Sequence, residues 1–285
     1  MRAFLLMLCV ALSFLPRLVR GQTTTEPDTV TVHSKGMALR ALLWRPPGKG
    51  PFPAVLFNHG SGHGVLGPSG AIEHTMEWQA EAIAPAFVRH GYVFFAPLRR
   101  GTGLSADQGT NSSDRWDSAL VARGQDARNR LQVELLESVE LDDALAGLAF
   151  LRARPEVDAR RIAVVGHSFG GSLTLLVAER DSTLRGAVVF SGSARSWPVS
   201  PPLRARLLRA VAHIAVPVFL LFAANDYSVA PARAMAAEMA RLGKPHQLKI
   251  YAPVGRTAQE GHGFIHLRVA EWEPDGFAFL DPRMR

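Results

Sequence analysis

Cysteine is almost absent from this chain of 285 residues, because Cys9, in an apolar run near the N-terminus, is the only one. If that run is removed, no thiol remains, which excludes disulfide bonds, thiolate nucleophiles and cysteine-based metal sites from the rest. The chain also lacks internal repeats, low-complexity tracts and a linker rich in proline, glycine and serine. With a hydrophobic content of 47%, these absences favour one large domain with a substantial core.

A strong excess of one charge is also absent. The formal net charge is +7, and loss of Arg2, Arg17 and Arg20 with residues 1–21 lowers it to +4. The other arginines are mostly scattered, and the cluster from Arg152 to Arg161 flanks a predicted strand. Nucleic-acid binding requires a denser basic stripe, so we expect no nucleic-acid partner.

Residues 1–21 have the layout of a secretory signal peptide. The basic residue Arg2 precedes an apolar run from Ala3 to Leu15, which is too short to span a bilayer comfortably. We expect cleavage before Gln22, although an atypical cleavage region leaves an uncleaved anchor as the alternative. The sequence thus predicts a functional domain over residues 22–285 that is periplasmic or secreted, with no stable membrane insertion after cleavage.

The most informative motif is Gly166-His167-Ser168-Phe169-Gly170, which matches G-x-S-x-G. The apolar, β-branched run 161–165 predicts a buried strand before it, and helical apolar spacing begins at Gly171. A strand, a sharp turn and a helix form the context in which this motif exposes a serine nucleophile. We therefore interpret Ser168 as a nucleophile on a strained turn, with a simple helix cap as the alternative.

The apolar pattern along the chain predicts an α/β fold. Two alternating runs, 29–33 and 38–44, predict an N-terminal antiparallel hairpin. Continuous apolar runs then alternate with helical patterns, which is typical of a mostly parallel central sheet with helices on both faces. The predicted strands are 54–57, 92–96, 161–165, 184–190, 218–223 and 247–251. The predicted helices are 77–90, 135–152, 201–213, 230–242 and 269–280.

A serine hydroxyl needs a base, and the base needs an orienting carboxylate. His262 lies between two glycines in a predicted loop after the last strand, and His266 is the alternative base. Asp226 follows the predicted strand 218–223, and we expect it to orient the imidazole. Its alternative role is to cap the helix that starts at Ala230.

A tetrahedral intermediate needs two N–H donors for its oxyanion. Phe169, the residue after the predicted nucleophile, is expected to supply one. The loop after the first buried strand is expected to supply the other, with Ser61 as first choice and Gly62 as second. His59 and His63 suggest a metal, but no third ligand follows at suitable spacing, so we expect no metal and interpret His59 as a brace for the loop.

These motifs together resemble the α/β-hydrolase fold. Within it, the chain is most similar to the dienelactone hydrolase family and its prolyl-oligopeptidase-like relatives, from about Asp28 onward. Dienelactone hydrolases proper use a cysteine nucleophile where this chain has Ser168, so the resemblance implies carboxylesterase activity. The resemblance is carried by the segments 58–62, 100–105, 166–171, 225–229 and 261–264.

We accordingly expect an α/β-hydrolase domain that cleaves small-molecule esters of a small or medium acyl group through an acyl-enzyme on Ser168, without a cofactor. Acyl transfer to an alcohol and cleavage of a short peptide or amide are alternatives that use the same residues. A non-catalytic binding module of the same fold is a further alternative. The segment 101–130 is expected to shape the pocket, with Trp116 and Trp197 as candidate lining residues.

Overall fold

The computed structural model describes residues 26–66 and 72–285. The predicted signal peptide, residues 1–21, lies outside the described residues. Within the described ranges, no helix combines the length and apolarity needed to cross a membrane.

The described residues form one large sheet and one small one. The strands are β1 (Asp28–Ser34), β2 (Met37–Trp44), β3 (Phe52–Asn58), β4 (Gly64–Leu66), β5 (Ile72–Thr75), β6 (Val93–Pro97), β7 (Val157–His167), β8 (Ala187–Phe190), β9 (Val218–Ala223) and β10 (His246–Tyr251). The large sheet has the order β1-β2-β6-β3-β7-β8-β9-β10, and β4 pairs with β5. The strands β6, β3, β7, β8, β9 and β10, which are neighbours in this order, run parallel to one another. Strand β2 is antiparallel to both of its neighbours, β1 and β6. The predicted hairpin and mostly parallel sheet are confirmed.

Helices cover both faces of the sheet. They are α1 (Met76–Glu81), α2 (Ala84–Arg89), α3 (Ser112–Glu137), α4 (Val139–Arg152), α5 (Phe169–Arg180), α6 (Pro201–His213), α7 (Ala230–Arg241), α8 (Ala258–His262), α9 (Phe264–Leu267) and α10 (Val269–Leu280). Two short 3₁₀ segments, Gly103–Ser105 and Asp281–Arg283, complete the set.

Two predicted helices were wrong in their bounds. The predicted helix 77–90 is the pair α1 and α2, because Pro85 fits only the first turn of a helix and so starts a new one. The predicted helix 135–152 is interrupted at Ser138, whose φ of −112° and ψ of −101° are not helical. Helix α3 itself departs from helical geometry at Gly124, with φ 77° and ψ −178°.

The core consists mainly of two large apolar clusters, one on each face of the sheet, and a small third cluster contains Ala194, Phe222 and Ala232. In β3, Ala54 and Leu56 belong to one cluster, and Val55 and Phe57 belong to the other. Successive side chains of a strand point to opposite faces, so a central strand covered on both sides must be apolar throughout. This explains the continuous apolar runs of the sequence.

Asp143, on α4, joins three distant parts of the chain. Its carboxylate accepts hydrogen bonds from Ser34 Oγ (2.6 Å), at the end of β1, and from Arg100 N (3.1 Å) and Nε (2.9 Å). Arg100 follows β6, and the Asp143 side chain is fully buried. The carboxylate therefore ties α4 to the N-terminal hairpin and to the loop after β6.

We predict that Asp143→Ala lowers the free energy of unfolding by about 3–5 kcal/mol, because it leaves the mostly buried Arg100 cation without its partner. Denaturant titration measures the loss. Asp142→Ala is the matched control: that side chain is 41% exposed and lies 4.0 Å from Lys35, so its loss should cost less than about 1 kcal/mol. Equal effects of the two substitutions would contradict the prediction.

Candidate active site

Ser168 lies on a sharp turn between β7 and α5. Its φ of 57° and ψ of −118° are strained for a residue with a side chain, and its N–H donates to Phe190 O at 2.9 Å. The turn requires glycine on both sides. A Cβ on Gly166 would lie 2.3 Å from Gly170 O, and a Cβ on Gly170 would lie 2.0 Å from Asn58 O. The predicted strained turn is confirmed.

Three predicted residues from separate parts of the chain form one hydrogen-bonded series. His262 Nε2 lies 2.9 Å from Ser168 Oγ, and His262 Nδ1 lies 2.7 Å from Asp226 Oδ1. The Asp226 side chain is fully buried, and its Oδ1 also accepts from Tyr227 N at 2.7 Å. Because Nδ1–H donates to the carboxylate, Nε2 is left to accept the hydroxyl proton. Such an arrangement can activate a serine.

Asp226 does not cap the helix α7, which was its alternative role. The N–H of Ala230, where α7 begins, donates to Ser228 Oγ at 3.1 Å. Asp226 is thus free to orient its carboxylate towards His262. The predicted loop at His262 was wrong, since His262 ends the short helix α8, which Thr257 caps.

The loop after β3 leaves one of its candidate backbone N–H donors without an acceptor. Gly62 N–H donates to Ser113 Oγ (2.8 Å), and Gly60 N–H donates to Gln79 Oε1 (3.0 Å). Ser61 N–H has no acceptor among residues 26–66 and 72–285. Ser61 also lines the same small cavity as Phe169, whose own N–H is in the first turn of α5. Of the two candidate donors in this loop, Ser61 is therefore the available one.

A buried ion pair holds this loop from behind. Arg99, which is 2% exposed, pairs with Glu140 through Nε and donates through Nη2 to His59 O (3.1 Å) and Gly60 O (2.9 Å). The His59 ring is part of the same brace, since its Nδ1 lies 2.8 Å from Gly60 O and its Nε2 accepts from Arg99 N at 3.2 Å. Burial, and then the Arg99 charge, hold the pKa of His59 well below its usual range, so the ring stays neutral.

Residues 39–270 match the family model described as "Dienelactone hydrolase family". The chain belongs to the dienelactone hydrolase family. The family resemblance expected from the motifs is thereby confirmed. No curated protein sequence matches the chain significantly.

Solved structures show the same fold at low sequence identity. A Klebsiella pneumoniae protein described as a dienelactone hydrolase is 18% identical, with a TM-score of 0.62, over 90% of this chain and 98% of that one. A Pyrococcus furiosus esterase is 17% identical, with a TM-score of 0.62, over 91% and 92%. A puromycin-hydrolyzing peptidase of Mycobacterium tuberculosis is 17% identical, with a TM-score of 0.64, over 90% of this chain but only 39% of its own. The α/β-hydrolase fold is therefore shown, and family membership supports a hydrolase.

Two residues that shape this family member's site, Arg99 and Glu140, were not predicted from the sequence. The available signal was on α4, where Glu140 and Asp143 are three residues apart and share a buried face with apolar neighbours. An acidic residue on a buried face requires a cationic partner. The partner itself, 41 residues earlier, has no local signature.

The remaining residues that the sequence suggested, as metal ligands or as lining of the pocket, lie in different surroundings from one another. His63 Nε2 lies 2.9 Å from an Asp114 carboxylate oxygen, and both side chains are exposed, unlike the buried ring of His59. In the part of the chain that the structure describes, no three histidine, cysteine or acidic side chains are grouped to hold a metal.

Trp116 packs against Phe169, with ring centroids 5.1 Å apart, and lines the cavity. Trp197 packs into the core instead.

Two further histidines pack behind His262. His167 Nε2–H donates to the backbone O of His262 at 2.9 Å, which fixes the end of α8. His266, the alternative base, is buried beside Trp78 and His167, at ring-centroid distances of 5.1 and 5.0 Å. Burial first, and then the charges of His262 and His74, lower the pKa of His266 to about 3.

We predict that His266 makes the fold sensitive to acid. Below pH 6.5, His266 binds a proton in the unfolded chain, whereas in the folded chain it stays neutral until about pH 3. The free energy of unfolding should therefore fall on acidification through this window, by up to about 1.4 kcal/mol per pH unit. His266→Phe should make this slope shallower by up to about 1.4 kcal/mol per pH unit in denaturant titrations at several pH values. Part of the slope should remain, because burial also lowers the pKa values of His59 and His167.

The same substitution at the exposed His33 is the control. That side chain is exposed on β1, so His33→Phe removes no buried contact and should alter the stability curves far less than His266→Phe does. A wild type and a His266→Phe variant with parallel stability curves from pH 7 to pH 4 would refute the prediction.

Proposed function

We propose that the chain is a serine hydrolase that cleaves carboxylic esters of a small or medium acyl group. The observation that carries the proposal is the hydrogen-bonded series from Asp226 through His262 to Ser168. Ser61, whose N–H has no acceptor among residues 26–66 and 72–285, and Phe169, the residue after Ser168, line one small cavity and support it further. Family membership and the esterase among the structural relatives agree with hydrolytic chemistry.

In the acylation half-reaction, Ser168 Oγ attacks the ester carbonyl carbon while His262 Nε2 takes the hydroxyl proton. The buried Asp226 carboxylate stabilises the imidazolium that forms. The N–H groups of Ser61 and Phe169 hold the oxyanion of the tetrahedral intermediate. The bond to the alcohol oxygen then breaks, and the alcohol leaves with the proton from His262, so that an acyl group remains on Ser168.

In the deacylation half-reaction, water replaces the alcohol. His262 takes a proton from the water as its oxygen attacks the acyl carbon, and a second tetrahedral intermediate forms against the same two N–H groups. Collapse of this intermediate breaks the bond to Ser168 Oγ, which regains its proton from His262. The acid is released and the free enzyme is restored, with no step that requires a metal or a cofactor.

Amide cleavage is the second candidate function, because one relative by structure is a puromycin-hydrolyzing peptidase. The same three side chains could expel an amine if His262 protonates its nitrogen. An ester and an anilide with the same acyl group separate the two functions. We expect a much larger kcat/KM for the ester relative to the uncatalysed rates, and the reverse order would favour a peptidase.

We predict that Ser168→Ala lowers kcat for p-nitrophenyl esters by about 10⁴–10⁶-fold and abolishes labelling by a fluorophosphonate probe. Stability should change little, because only one small oxygen is removed. Ser172→Ala is the matched control, since it removes the same atom from the same helix without reaching His262. Near-normal turnover by purified Ser168→Ala would refute the assignment.

We predict that His262→Ala is nearly as damaging as Ser168→Ala, and that the double variant is hardly worse than either. Residues that act as one unit are strongly non-additive in their effects on kcat. His266→Phe should keep ester turnover within a few-fold of wild type at pH 7, since His266 makes no contact with Ser168. If His266→Phe abolished turnover and His262→Ala did not, the base would be His266.

A further inference from the structure

The main-chain carbonyl of His262 accepts two hydrogen bonds from side chains. Its oxygen lies 2.9 Å from His167 Nε2 and 3.2 Å from Ser191 Oγ. Because a carbonyl oxygen can only accept, the ring and the hydroxyl both donate to it. His167 is the last residue of β7, directly before Ser168, and Ser191 directly follows the neighbouring strand β8. The backbone of the proposed base is therefore tied to the strand that carries the nucleophile and to the strand beside it.

The sheet holds Ser191 itself in place. Its N–H donates to Leu221 O of β9 at 3.0 Å, and the residue before it, Phe190, accepts from Ser168 N–H at 2.9 Å. The Ser191 side chain is completely buried. A continuous path of hydrogen bonds and one peptide unit thus runs from the backbone of Ser168 through Phe190 and Ser191 to the backbone of His262.

Ser191 is strained in a way that glycine would relieve. Its φ is 56°, in the left-handed region that residues with a side chain seldom adopt. Strained backbone of this kind concentrates at functional sites, where the surrounding contacts enforce it. The hydroxyl is what serine supplies here and glycine would not, and its hydrogen bond goes to the carbonyl of His262.

The helix that ends at His262 is too short to hold the ring by itself. Helix α8 has only five residues, and a helix of that length has little stability of its own. The two bonds to the His262 carbonyl are therefore needed to fix the position of the imidazole. Transfer of a proton between two groups depends steeply on their separation, so a small shift at this carbonyl would be felt at the 2.9 Å contact between His262 Nε2 and Ser168 Oγ.

We propose that Ser191 is a positioning residue for the base, and that its hydroxyl, together with His167, sets the distance between His262 Nε2 and Ser168 Oγ. The inference rests on the proposed function, in which a proton crosses that contact. Ser191 touches neither the substrate nor the reacting atoms in this proposal. It acts only through the backbone of His262.

Ser191→Gly is the informative substitution, because it removes the hydroxyl and relieves the strained φ at the same time. Stability in denaturant titration should stay close to wild type, since relief of strain offsets the lost hydrogen bond. We expect kcat for a p-nitrophenyl ester to fall about tenfold and KM to stay within about twofold of wild type, because a displaced imidazole impairs proton transfer but not substrate binding. Wild-type kcat in the folded Ser191→Gly variant would overturn the proposal.

Ser193→Gly is the matched control. Ser193 belongs to the same turn, is also buried and has a similar φ of 65°, but its Oγ has no hydrogen-bond partner among residues 26–66 and 72–285. Its N–H lies 3.4 Å from Ser168 O, and the substitution leaves that N–H unchanged. Ser193→Gly should therefore keep the wild-type kcat, and an equal fall of kcat in the two glycine variants would overturn the role of the Ser191 hydroxyl.

Ser191→Ala separates the hydroxyl from the strain. Alanine lacks the hydroxyl but keeps the unfavourable φ, so stability should fall below that of Ser191→Gly while kcat falls by the same factor. If Ser191→Ala kept the wild-type kcat and only Ser191→Gly lost it, backbone freedom and not the hydrogen bond would be the cause, and the proposal would be overturned.

A measurement that needs no turnover separates this inference from the proposed function. The Nδ1–H of His262, bonded to Asp226, is observed by NMR of protein with ¹⁵N-labelled histidine and identified by its loss in His262→Ala. We expect this proton to exchange with water about tenfold faster in Ser191→Gly than in wild type, because the end of α8 opens more often, and at the wild-type rate in Ser193→Gly.

If folded wild type cleaves no ester, the hydrolase assignment fails, and the exchange rates then decide the positioning role alone. Faster exchange confined to Ser191→Gly would support it, and equal rates in wild type and both glycine variants would overturn it.

Discussion

The approach of Gly170 to two backbone carbonyl groups is the contact on which the rest of the site depends. A Cβ at this position would lie 2.0 Å from Asn58 O and 2.2 Å from His59 O, so the first turn of α5 rests directly on the loop after β3. This contact brings Phe169 and Ser61, the two proposed oxyanion donors, to the lining of one cavity. Any side chain at 170 would push the two donors apart and move Ser168 with them.

Much of the fold could be predicted from the sequence, because its signals are local. A strand covered on both faces must be apolar along its whole length, and β3 and β9 show this in their residues. The turn at Ser168 also has a local signature, since only glycine fits at 166 and 170. The chain order of Ser168, Asp226 and His262 then pointed to one site, and the hydrogen bonds between their side chains agree with that expectation.

The parts that could not be predicted depend on contacts between distant residues. The sequence left Ser61 and Gly62 as alternatives, because the acceptor of the Gly62 N–H is Ser113, which lies 51 residues away. The brace formed by Arg99 and Glu140 is of the same kind. Helix bounds failed for a different reason: apolar spacing continues through Ala82 and Ile83, whereas Pro85 starts a new helix.

The pairing of β3 with β7 has a consequence for how the molecule acquires activity. Asn58 lies opposite Gly166 in this parallel pair, which closes a loop of about a hundred residues, and such long-range pairings make folding slow. The strained turn at Ser168 and the loop after β3 come from the two halves of this pairing, and His262 is brought to them from near the C-terminus. The site is complete only when all three parts of the chain have met, whereas helices need local contacts alone, so recovery of activity after dilution from denaturant should trail the recovery of helical signal.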